Sequence, residues 1–326
     1  MPEPQPAIVY FDGQFVPQSE ARVSVTCPAF AFALQVYDVL GGYWNATDEQ
    51  LHLFRLREHA TRFTESMKLM RFRPEFGVDE IVETVLETVR RNGFRQDTAI
   101  RLVGYISSPG GLGDLTATEP VGLLVLPLTW PKASPPGVTA VVSSWPRIPD
   151  HIMPPRIKAP ANYLNARHAQ MEAERAGVDH AIMLNERHKV AEMPRYCIFM
   201  ARGDEIACPS LTSDQLDSMT RRSCLELLRG PLGRQVNERD LDRTELLLAD
   251  EVWLGASITG IKAIVQVDGA RIGTGEPGPI CTELSALLTG VRRGPRRCSP
   301  SGGRRCIEVS GGHAGPPLRP LWRTPV

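Results

Sequence analysis

One lysine in this sequence stands in an unusual setting. Lys158 lies between Pro155 and Pro160, just ahead of an Asn-Tyr pair and a run of small and charged residues. A lysine on a solvent-facing surface would need no such setting. A lysine that forms a Schiff base is different, because its amine must lose a proton before it attacks a carbonyl group. The position therefore leaves two interpretations, an ordinary surface residue or a catalytic nucleophile.

The sequence before this lysine is typical of an α/β domain. Strands are predicted for AIVYFDGQFV (7–16, with a turn at Asp12-Gly13), QVYDVLGGYW (35–44), LHLF (51–54), TAIRLVGYI (98–106) and VGLLVLPL (121–128). Helices are predicted for RLREHATRFTESMKLM (55–70) and for VDEIVETVLETVRRNG (78–93), which ends at a glycine. We therefore expect a small N-terminal α/β domain over residues 1–130 and a linker over 131–137.

The second half predicts a larger α/β domain over residues 138–290. Its predicted strands are VTAVVSSW (138–145), DHAIML (179–184), YCIFMARG (196–203), EIACP (205–209), ADEVWLGAS (249–257) and KAIVQVDG (262–269). One helix follows Lys158, with Tyr163 and a row of alanines (166, 169, 173 and 176) on one face, and ends at Gly177. A second helix is predicted to begin near Met219 and to stop at Gly230.

The C-terminal segment 291–326 differs in composition from the rest. From Arg292 onward it has eight arginines, one acidic residue and many glycines, prolines and serines, without a helical or strand period. Its few apolar residues cannot offset the entropy of ordering. We therefore expect a basic, disordered tail, with a nucleic-acid-binding arm or a shift of reading frame as alternatives.

Composition limits the classes of function. The 326 residues carry 37 basic and 37 acidic side chains, so no net charge draws the whole chain to nucleic acid or a membrane. No apolar run is long enough to span a bilayer, and the N-terminus lacks the pattern of a secretory signal. Seven irregularly spaced cysteines without a C-x-x-C pair favour reduced thiols in a cytoplasm over disulfides or a zinc site. We therefore expect a cytoplasmic protein with no metal site.

Nine segments, taken in order, resemble the class IV (fold-type IV) pyridoxal-phosphate-dependent aminotransferases, a family that includes the branched-chain aminotransferases. The segments are FDGQFVPQSEARVSV, VYDVLGGY, LREHATRFTESMKL, VSSWPR, KAPANYLNARHAQMEAERAG, KVAEMPRYCIFM, SLTSDQLDSMTR, ADEVWLGAS and GTGEPGPI. The resemblance covers about residues 8–290 and implies a two-domain α/β fold with pyridoxal 5'-phosphate at the domain interface.

The resemblance implies roles for three residues at the reacting end of the cofactor. Lys158 matches the Schiff-base lysine, which also moves a proton between the substrate and the cofactor. Glu192 matches the carboxylate that keeps the pyridine nitrogen protonated. Tyr163 matches the tyrosine that hydrogen-bonds the phenolic oxygen of the cofactor. The alternatives are a surface lysine, a surface acid at a strand end and an aromatic residue in the core.

Four further residues match the phosphate-binding positions of the family. Arg62 corresponds to the phosphate arginine, whose fork of donors suits a phosphate. The backbone amides of Met219 and Thr220 lie where a helix begins and where its dipole favours an anion. Ser257 matches a second hydroxyl contact. Solvated helix arginines, helix capping and turn formation are the alternatives.

The substrate half departs from the branched-chain enzymes. Their Y-I-R strand is here A-I-R, from Ala99 to Arg101, and Gly41 stands where an arginine is usual. We predict that Arg101 is the main cation for a substrate carboxylate, and that the space beside Ala99 and Gly41 admits a larger side chain than that of valine or leucine. Phe32 and Ala256 complete the expected substrate contacts.

The loop after Glu192 also departs from the family pattern. It reads EMPRYC, with Arg195 as a second candidate cation and Cys197 where an asparagine is usual. The substrate therefore stays open at this point, although the cofactor residues match.

The expected activity is amino transfer between an amino acid or amine and a keto acid, in a homodimer. The expected partners are small molecules, without nucleic acid or a membrane. A pyridoxal-phosphate-dependent lyase of the aminodeoxychorismate-lyase type and a non-catalytic protein that binds the cofactor are the alternatives.

Overall fold

Two β-sheets, one from each half of the sequence, form the framework of the protein. The computed structural model describes residues 7–108, 114–130, 135–294 and 323–325. In chain order the strands are β1 (Ile8–Phe11), β2 (Gln14–Pro17), β3 (Gln35–Asn45), β4 (Gln50–Phe54), β5 (Thr98–Ile106), β6 (Val121–Leu128), β7 (Gly137–Val142), β8 (His180–Leu184), β9 (Val190–Glu192), β10 (Cys197–Arg202), β11 (Glu205–Cys208), β12 (Val236–Glu238), β13 (Glu251–Ala256), β14 (Gly260–Val267), β15 (Ala270–Arg271) and β16 (Arg323–Pro325). The helices are α1 (Pro28–Phe32), α2 (Leu56–Leu69), α3 (Val78–Asn92), α4 (Asn162–Arg175), α5 (Met219–Arg229), α6 (Arg243–Leu248) and α7 (Pro279–Arg293), together with a short 3-10 helix at Gln18–Glu20.

The N-terminal sheet is antiparallel and has the order β16-β4-β3-β5-β6-β1-β2. Helices α2 and α3 pack on it, because both have one apolar face. The core between them includes Leu40 and Ile100 from the sheet and Phe63 and Ile81 from the helices, all fully buried. The long central pair of β3 and β5 places Val39 opposite Arg101 and Gly41 opposite Ala99.

The C-terminal sheet is mixed and has the order β12-β11-β10-β13-β14-β7-β8-β9, with β15 paired to β14. Its strand β7 runs parallel to both neighbours, β14 and β8. Helix α4 lies against β8, with Ala166, Ala169 and Ala173 buried in a small core. Helices α5 and α7 pack on the sheet through a second core that includes the stacked rings of Phe199 and Trp253. Among the described residues, every helix is too short or too polar to cross a bilayer.

Most of the predicted elements are confirmed. The strands TAIRLVGYI and VGLLVLPL coincide with β5 and β6, and α3 ends at Gly93 in the left-handed conformation that glycine adopts easily. Helix α5 begins at Met219 and stops before Gly230 as expected. The fold is mixed α/β, as the sequence indicated.

The structure contains elements that the sequence did not predict, among them α6 and α7, and it also changes three of the predicted bounds. Ala176 ends α4 and is exposed, so the alanine row is buried only as far as Ala173. β7 stops at Val142 and leaves the SSW segment outside the sheet. Helix α7 continues past residue 290 to Arg293, because cations in the last turn suit the helix dipole.

Two predicted segments fall wholly or partly outside the described residues. They are the tail, of which the structure describes residues 291–294 and 323–325, and the linker, of which it describes 135–137. The domain boundaries therefore stay predictions.

Candidate active site

A cavity of about 930 Å³ opens between the two sheets. It is lined by side chains from β3, β5, β9, the loop before α4 and the turn after β13. The predicted site residues that line it are Arg62, Ala99, Lys158, Tyr163, Glu192, Ala256 and Ser257. Those that do not line it are Phe32, Gly41, Arg101, Met219 and Thr220.

Lys158 is positioned by the backbone around it. Its N–H donates to the Ser66 hydroxyl on α2 at 3.1 Å, and its carbonyl accepts from the Tyr37 N–H on β3 at 2.9 Å. The loop from Pro155 to Ala159 therefore docks on the N-terminal sheet, while the half-buried side chain enters the cavity. The Nζ atom donates to the phenol oxygen of Tyr163 at 2.9 Å.

Tyr163 accepts a hydrogen bond from Lys158 and faces a second tyrosine, Tyr37, whose ring centroid lies 5.5 Å away. Burial raises the pKa of Tyr163, but the Lys158 ammonium, the bond that it donates and the neighbouring Tyr37 hydroxyl outweigh it and hold the pKa below its ordinary value. Burial and the neighbouring Tyr163 oxygen raise the pKa of Tyr37. The Tyr163 oxygen is therefore the group that most easily gives up its proton to the lysine.

Glu192, at the end of β9, is held at both carboxylate oxygens. Arg147 donates through Nε to Oε1 at 2.6 Å, and the Leu216 N–H donates to Oε2 at 3.1 Å. Both side chains are mostly buried, with 6% of Arg147 and 13% of Glu192 exposed. The carboxylate is therefore fixed in orientation where it faces the cavity.

Arg62 belongs to a buried polar group that joins α2 to β3. Its Nε and Nη2 donate to the two oxygens of Asp38 at 2.9 and 2.8 Å, and Nη1 donates to the Asp217 carbonyl at 3.0 Å. His59 Nδ1 lies 2.8 Å from the same carboxylate.

The protonation states in this group follow from burial and pairing. Burial raises the pKa of Asp38, but Arg62 and His59 outweigh it and hold the pKa well below its ordinary range. Burial also keeps the pKa of His59 below its ordinary value, against the pull of Asp38. The charge of Arg62 is therefore already balanced by Asp38, and the guanidinium offers oriented donors rather than an unpaired cation.

The start of α5 supplies backbone donors close to Arg62. Ser218 caps the helix by accepting from the Arg221 N–H at 3.4 Å, and Ser218 itself lines the cavity. The first N–H groups of a helix have no partner within it, which leaves the amides of Met219 and Thr220 for an anion. The hydroxyl oxygen of Thr220 is buried and has no hydrogen-bond partner among the described residues.

The substrate residues are not gathered as the sequence predicted. Ala99 lines the cavity, but the space above Gly41 is filled, since a Cβ there would lie 2.7 Å from the ring of Tyr43. That part of the enlarged-pocket prediction is wrong. Phe32 lies on α1 and is 42% exposed. Arg101 stacks on Tyr37, with its guanidinium carbon 4.5 Å from the ring centroid, and its buried Nε has no partner among the described residues.

The altered loop after Glu192 also borders the cavity. Arg195 and Cys197 both line it. The Cys197 thiol donates to the Gly255 carbonyl at 3.3 Å, and burial raises its pKa to about 12. This cysteine is therefore a neutral packing residue at physiological pH and a poor nucleophile.

Sequence reasoning missed the residues that hold the predicted ones. Asp38 and Arg147 stand inside the matched segments VYDVLGGY and VSSWPR. The match marked these segments but did not indicate what the two side chains do. His59 and Ser66 stand inside a third matched segment, LREHATRFTESMKL, but were predicted only as part of a helix. No local pattern indicates that a serine on a helix contacts a distant loop.

These residues fit pyridoxal phosphate. The cavity offers a lysine amine beside a tyrosine oxygen, a carboxylate held at both oxygens, and an arginine next to the free amides of a helix start. The partnerless Thr220 hydroxyl gives a further buried polar atom at that helix start. This donor set matches an anionic group at one end of a ligand and a basic nitrogen at the other.

A family comparison agrees with this geometry. The sequence model of the family described as "Amino-transferase class IV" matches residues 35–267. A probable branched-chain-amino-acid aminotransferase of Aquifex aeolicus is 30% identical over 286 residues, which is 87% of this chain and 92% of that protein. The branched-chain-amino-acid aminotransferase of Escherichia coli K12 is 28% identical over 88% of this chain and 93% of its own length.

Solved structures agree as well. The branched-chain aminotransferase of Thermoproteus uzoniensis with norvaline superposes with a TM-score of 0.85 and 31% identity, over 98% of both chains. The branched-chain amino acid aminotransferase of Thermobaculum terrenum in its PLP-bound holo form gives a TM-score of 0.85 and 32% identity, also over 98% of both chains.

Proposed function

Because this chain belongs to the class IV aminotransferases, we propose that Lys158 is its catalytic lysine and that Glu192, Tyr163 and Arg62 hold the cofactor around it. The activity is pyridoxal-phosphate-dependent amino transfer. The observation that carries the residue assignment is the Lys158–Tyr163 contact of 2.9 Å, in a cavity that also holds the fixed carboxylate of Glu192.

Bound pyridoxal phosphate supplies a carbonyl that condenses with amines and a ring that accepts electrons from the substrate Cα. Lys158 Nζ would take the proton from that carbon and deliver it to the cofactor carbon that bore the carbonyl. Tyr163 sits within hydrogen-bond distance and exchanges a proton with the lysine, so it keeps the amine in its reactive form. Glu192 would accept a hydrogen bond from the ring nitrogen and so favour its protonated form.

The other end of the cavity binds the phosphate by oriented donors. Arg62 contributes a guanidinium that Asp38 already orients, and the start of α5 contributes the amides of Met219 and Thr220. Ser257 lies across the cavity as a further contact.

We propose an amino acid as donor and a keto acid as acceptor, with apolar side chains that include the branched-chain ones. The names of the relatives support this class. The small side chain of Ala99 leaves room at the cavity wall, so side chains larger than that of leucine are also expected to fit. The lyase and the non-catalytic alternatives have no support from the described residues.

The proposal includes a homodimer. Val23, Val25, Phe30 and Phe32 are exposed apolar side chains on α1 and the segment before it, with 73% of Val25 and 69% of Phe30 exposed. Such side chains, when clustered, mark protein interfaces, and a second copy of the chain would cover them. Sedimentation at micromolar concentration tests this.

A cytoplasmic location is also part of the proposal. It is supported by the five cysteines within the described residues, all of which are free and buried.

The decisive test of the lysine assignment is chemical labelling. Borohydride reduction of the loaded protein, followed by proteolysis and mass spectrometry, should recover the cofactor on the peptide that contains Lys158. Recovery on another lysine, or on none, contradicts the assignment. A parallel assay with one amino donor and a set of keto acids should show amine on an acceptor, whereas pyruvate or ammonia without an acceptor would indicate a lyase.

A further inference from the structure

Arg292, in the last turn of α7, is a buried arginine that lacks an acidic partner. Five arginines are buried in the parts of the chain that the structure describes, and four of them form an ion pair. The pairs are Arg55 with Glu226, Arg62 with Asp38, Arg147 with Glu192 and Arg221 with Glu238. Arg292 is 4% exposed and forms no ion pair with any of these described residues. An arginine keeps its proton even when it is buried, so this charge has no counter-charge from the protein.

The groups around Arg292 compensate its charge only in part. Nη2 donates to the Ala256 carbonyl at 3.3 Å, and Nε is buried without an acceptor in the described part of the chain. The guanidinium carbon lies 5.2 Å from the centre of the Tyr43 ring and 5.6 Å from that of Phe54. These rings attract a cation but have no net charge, and the Tyr43 hydroxyl already donates to the Ser257 carbonyl at 2.5 Å. The guanidinium therefore keeps donors for an oxyanion.

The acidic side chain beside the end of α7 is already paired with the neighbouring arginine. Asp97 lines the cavity, and its two oxygens accept from Nη1 and Nη2 of Arg293 at 3.0 and 2.5 Å. The Trp44 N–H donates to the same carboxylate at 2.9 Å. Asp97 and Arg293 therefore balance each other, and a counter-charge for Arg292 must come from outside the described residues.

The cavity that holds Lys158 extends to α7. Ser285, Thr289 and Arg292 line it, and their spacing of four and three residues places them on one face of the helix. Trp130, after the end of β6, lines the same cavity. A ligand in the cavity can therefore reach the guanidinium of Arg292, with hydroxyl groups beside it on the helix.

We propose that the side chain of Arg292 binds a carboxylate group at the α7 end of the cavity. A guanidinium presents a planar fork of donors that matches a carboxylate in shape and charge. The pair is strengthened by burial, because little water screens it. The carboxylate belongs either to the side chain of a dicarboxylic substrate or to a separate small acid, and the first of these sources rests on the proposed function.

Isothermal titration calorimetry of the cofactor-loaded protein with three acids tests this proposal. Glutarate and 4-methylvalerate have the same chain length but differ in the second carboxylate, and neither has an amino or keto group that could react. Acetate is titrated into protein saturated with 4-methylvalerate and reports a separate acid site. The variant is Arg292→Met, which removes the charge. The matched control is Arg229→Met, because that arginine ends α5, pairs with Glu238 and does not line the cavity.

The two sources of the carboxylate give different results. If it belongs to a dicarboxylic substrate, Arg292→Met should weaken glutarate roughly 10- to 100-fold and 4-methylvalerate less than about threefold, since one charged hydrogen-bonded contact is lost. If it belongs to a separate acid, the variant should lose the acetate site and bind the other two acids as wild type does. Unchanged binding of all three acids would overturn the proposal. An equal loss for glutarate and 4-methylvalerate would also overturn it and leave Arg292 as a packing residue.

A second variant protects the test from a folding defect. Arg292→Lys keeps the positive charge, so it should bind the affected acid more tightly than Arg292→Met does. If Arg292 only fills space, the lysine and methionine variants, both with unbranched side chains, should bind that acid equally. The titrations need no turnover. A wild-type protein that fails borohydride labelling at Lys158 would therefore contradict the proposed function, whereas the results that overturn the role of Arg292 leave that labelling unchanged.

Discussion

The cofactor side and the substrate side of the cavity are built differently. On the cofactor side the predicted charged side chains are held by others, as with Arg62 by Asp38 and Glu192 by Arg147. On the substrate side Ala99 offers only a methyl group, and Arg101 has a stacking contact and a buried nitrogen without a partner among the described residues. One side is therefore rigid before any ligand binds, while the other has few directional contacts.

The difference has a physical reason. A cofactor with several charged and polar groups is bound well by donors that need no reorganisation, and such donors must themselves be fixed by partners. A substrate pocket can change its residues without loss of the fold, because small and apolar side chains leave no buried group unpaired. Substitutions on the cofactor side should therefore affect stability and turnover, and those on the substrate side mainly specificity.

The largest effect is expected for Lys158→Ala. Turnover should fall by roughly 10²- to 10⁴-fold or more, because a nucleophile and a proton carrier are lost together. The cofactor should still bind, since Arg62 and the start of α5 do not depend on the lysine. Steady-state kinetics and dialysis measure the two quantities. Lys189→Ala is the control, because that lysine pairs with Asp242 at the surface. A variant that keeps its turnover would contradict the role of Lys158, and one that loses the cofactor would contradict the division of the cavity.

Asp38→Asn should cause the largest loss of stability. It leaves Arg62 buried without its counter-charge, and breaking a buried ion pair costs about 3–5 kcal/mol of the free energy of unfolding. Urea denaturation of the cofactor-free protein measures this loss. The control is Asp79→Asn, whose partner Arg57 is exposed, where a change of about 0–1 kcal/mol is expected. If both variants lose the same free energy of unfolding, the buried pair of Asp38 and Arg62 contributes no more to stability than an exposed pair.

The same aspartate predicts a pH dependence of stability. Its pKa is lower in the folded chain than in the unfolded chain, so its contribution is complete above the ordinary carboxyl pKa of about 4. Below that pH the unfolded chain binds the proton first, and the contribution is progressively lost. Wild type should therefore lose more stability than Asp38→Asn between about pH 4 and pH 2 in urea titrations. If the free energy of unfolding falls equally with pH in wild type and in Asp38→Asn, the lowered pKa of Asp38 is contradicted.

Glu192→Gln should leave the fold intact and slow the proton transfer. An amide cannot favour a protonated ring nitrogen as a carboxylate does, so we expect a decrease of roughly 10- to 100-fold in the half-reaction with a donor. Stopped-flow absorbance at saturating donor measures this rate. Glu205→Gln removes a carboxylate from an ion pair with Arg239 outside the cavity and serves as the control. An unchanged rate would mean that the glutamate is not at the nitrogen or that another step is limiting.

The sequence predicted the rigid side of the cavity better than the open side. Lys158, Tyr163 and Glu192 stand in short segments whose order alone identifies them, and all three line one cavity. The contact of Tyr43 with Ser257 joins residues that are 214 positions apart, and no local pattern predicts such a pair. The space above Gly41 was misjudged for the same reason, since the residue that fills it is visible only in three dimensions.

The prediction of the fold was limited in the same way, by contacts between residues that are distant in the sequence. Strands β5 and β6 were predicted at their true bounds, because their buried residues form an almost continuous apolar run between polar turns. Helix α7 was not predicted, and Arg292 and Arg293 at its end were assigned to the tail because they resemble the arginine-rich segment that follows. The burial of Arg292 depends on Tyr43 and Phe54, which belong to the other sheet. Local composition therefore does not predict the structure of a residue that is stabilised by residues distant in the sequence.

The smallest effect is expected on the open side of the cavity, at Arg101. Its side chain stacks on Tyr37, whose ring contacts that of Tyr163 beside Lys158, so a substrate carboxylate near Tyr37 would lie within reach of this cation. Arg101→Gln removes the charge but keeps a donor. We expect KM for amino acids to rise about tenfold, equivalent to one hydrogen bond to a charged group, while kcat stays within a factor of about two.

A panel of donors shows whether this arginine and the wall at Ala99 set the specificity. Wild type should use donors with side chains larger than that of leucine at least as well as valine, leucine and isoleucine, because Ala99 contributes only a methyl group to the cavity wall. Ala99→Tyr should reverse the order, since a ring there fills the space. If the three branched-chain donors are the best for wild type, the space beside Ala99 does not serve the side chain. If Arg101→Gln raises KM no more for amino acids than for amines without a carboxylate, the arginine only supports the Tyr37 ring and does not bind the carboxylate.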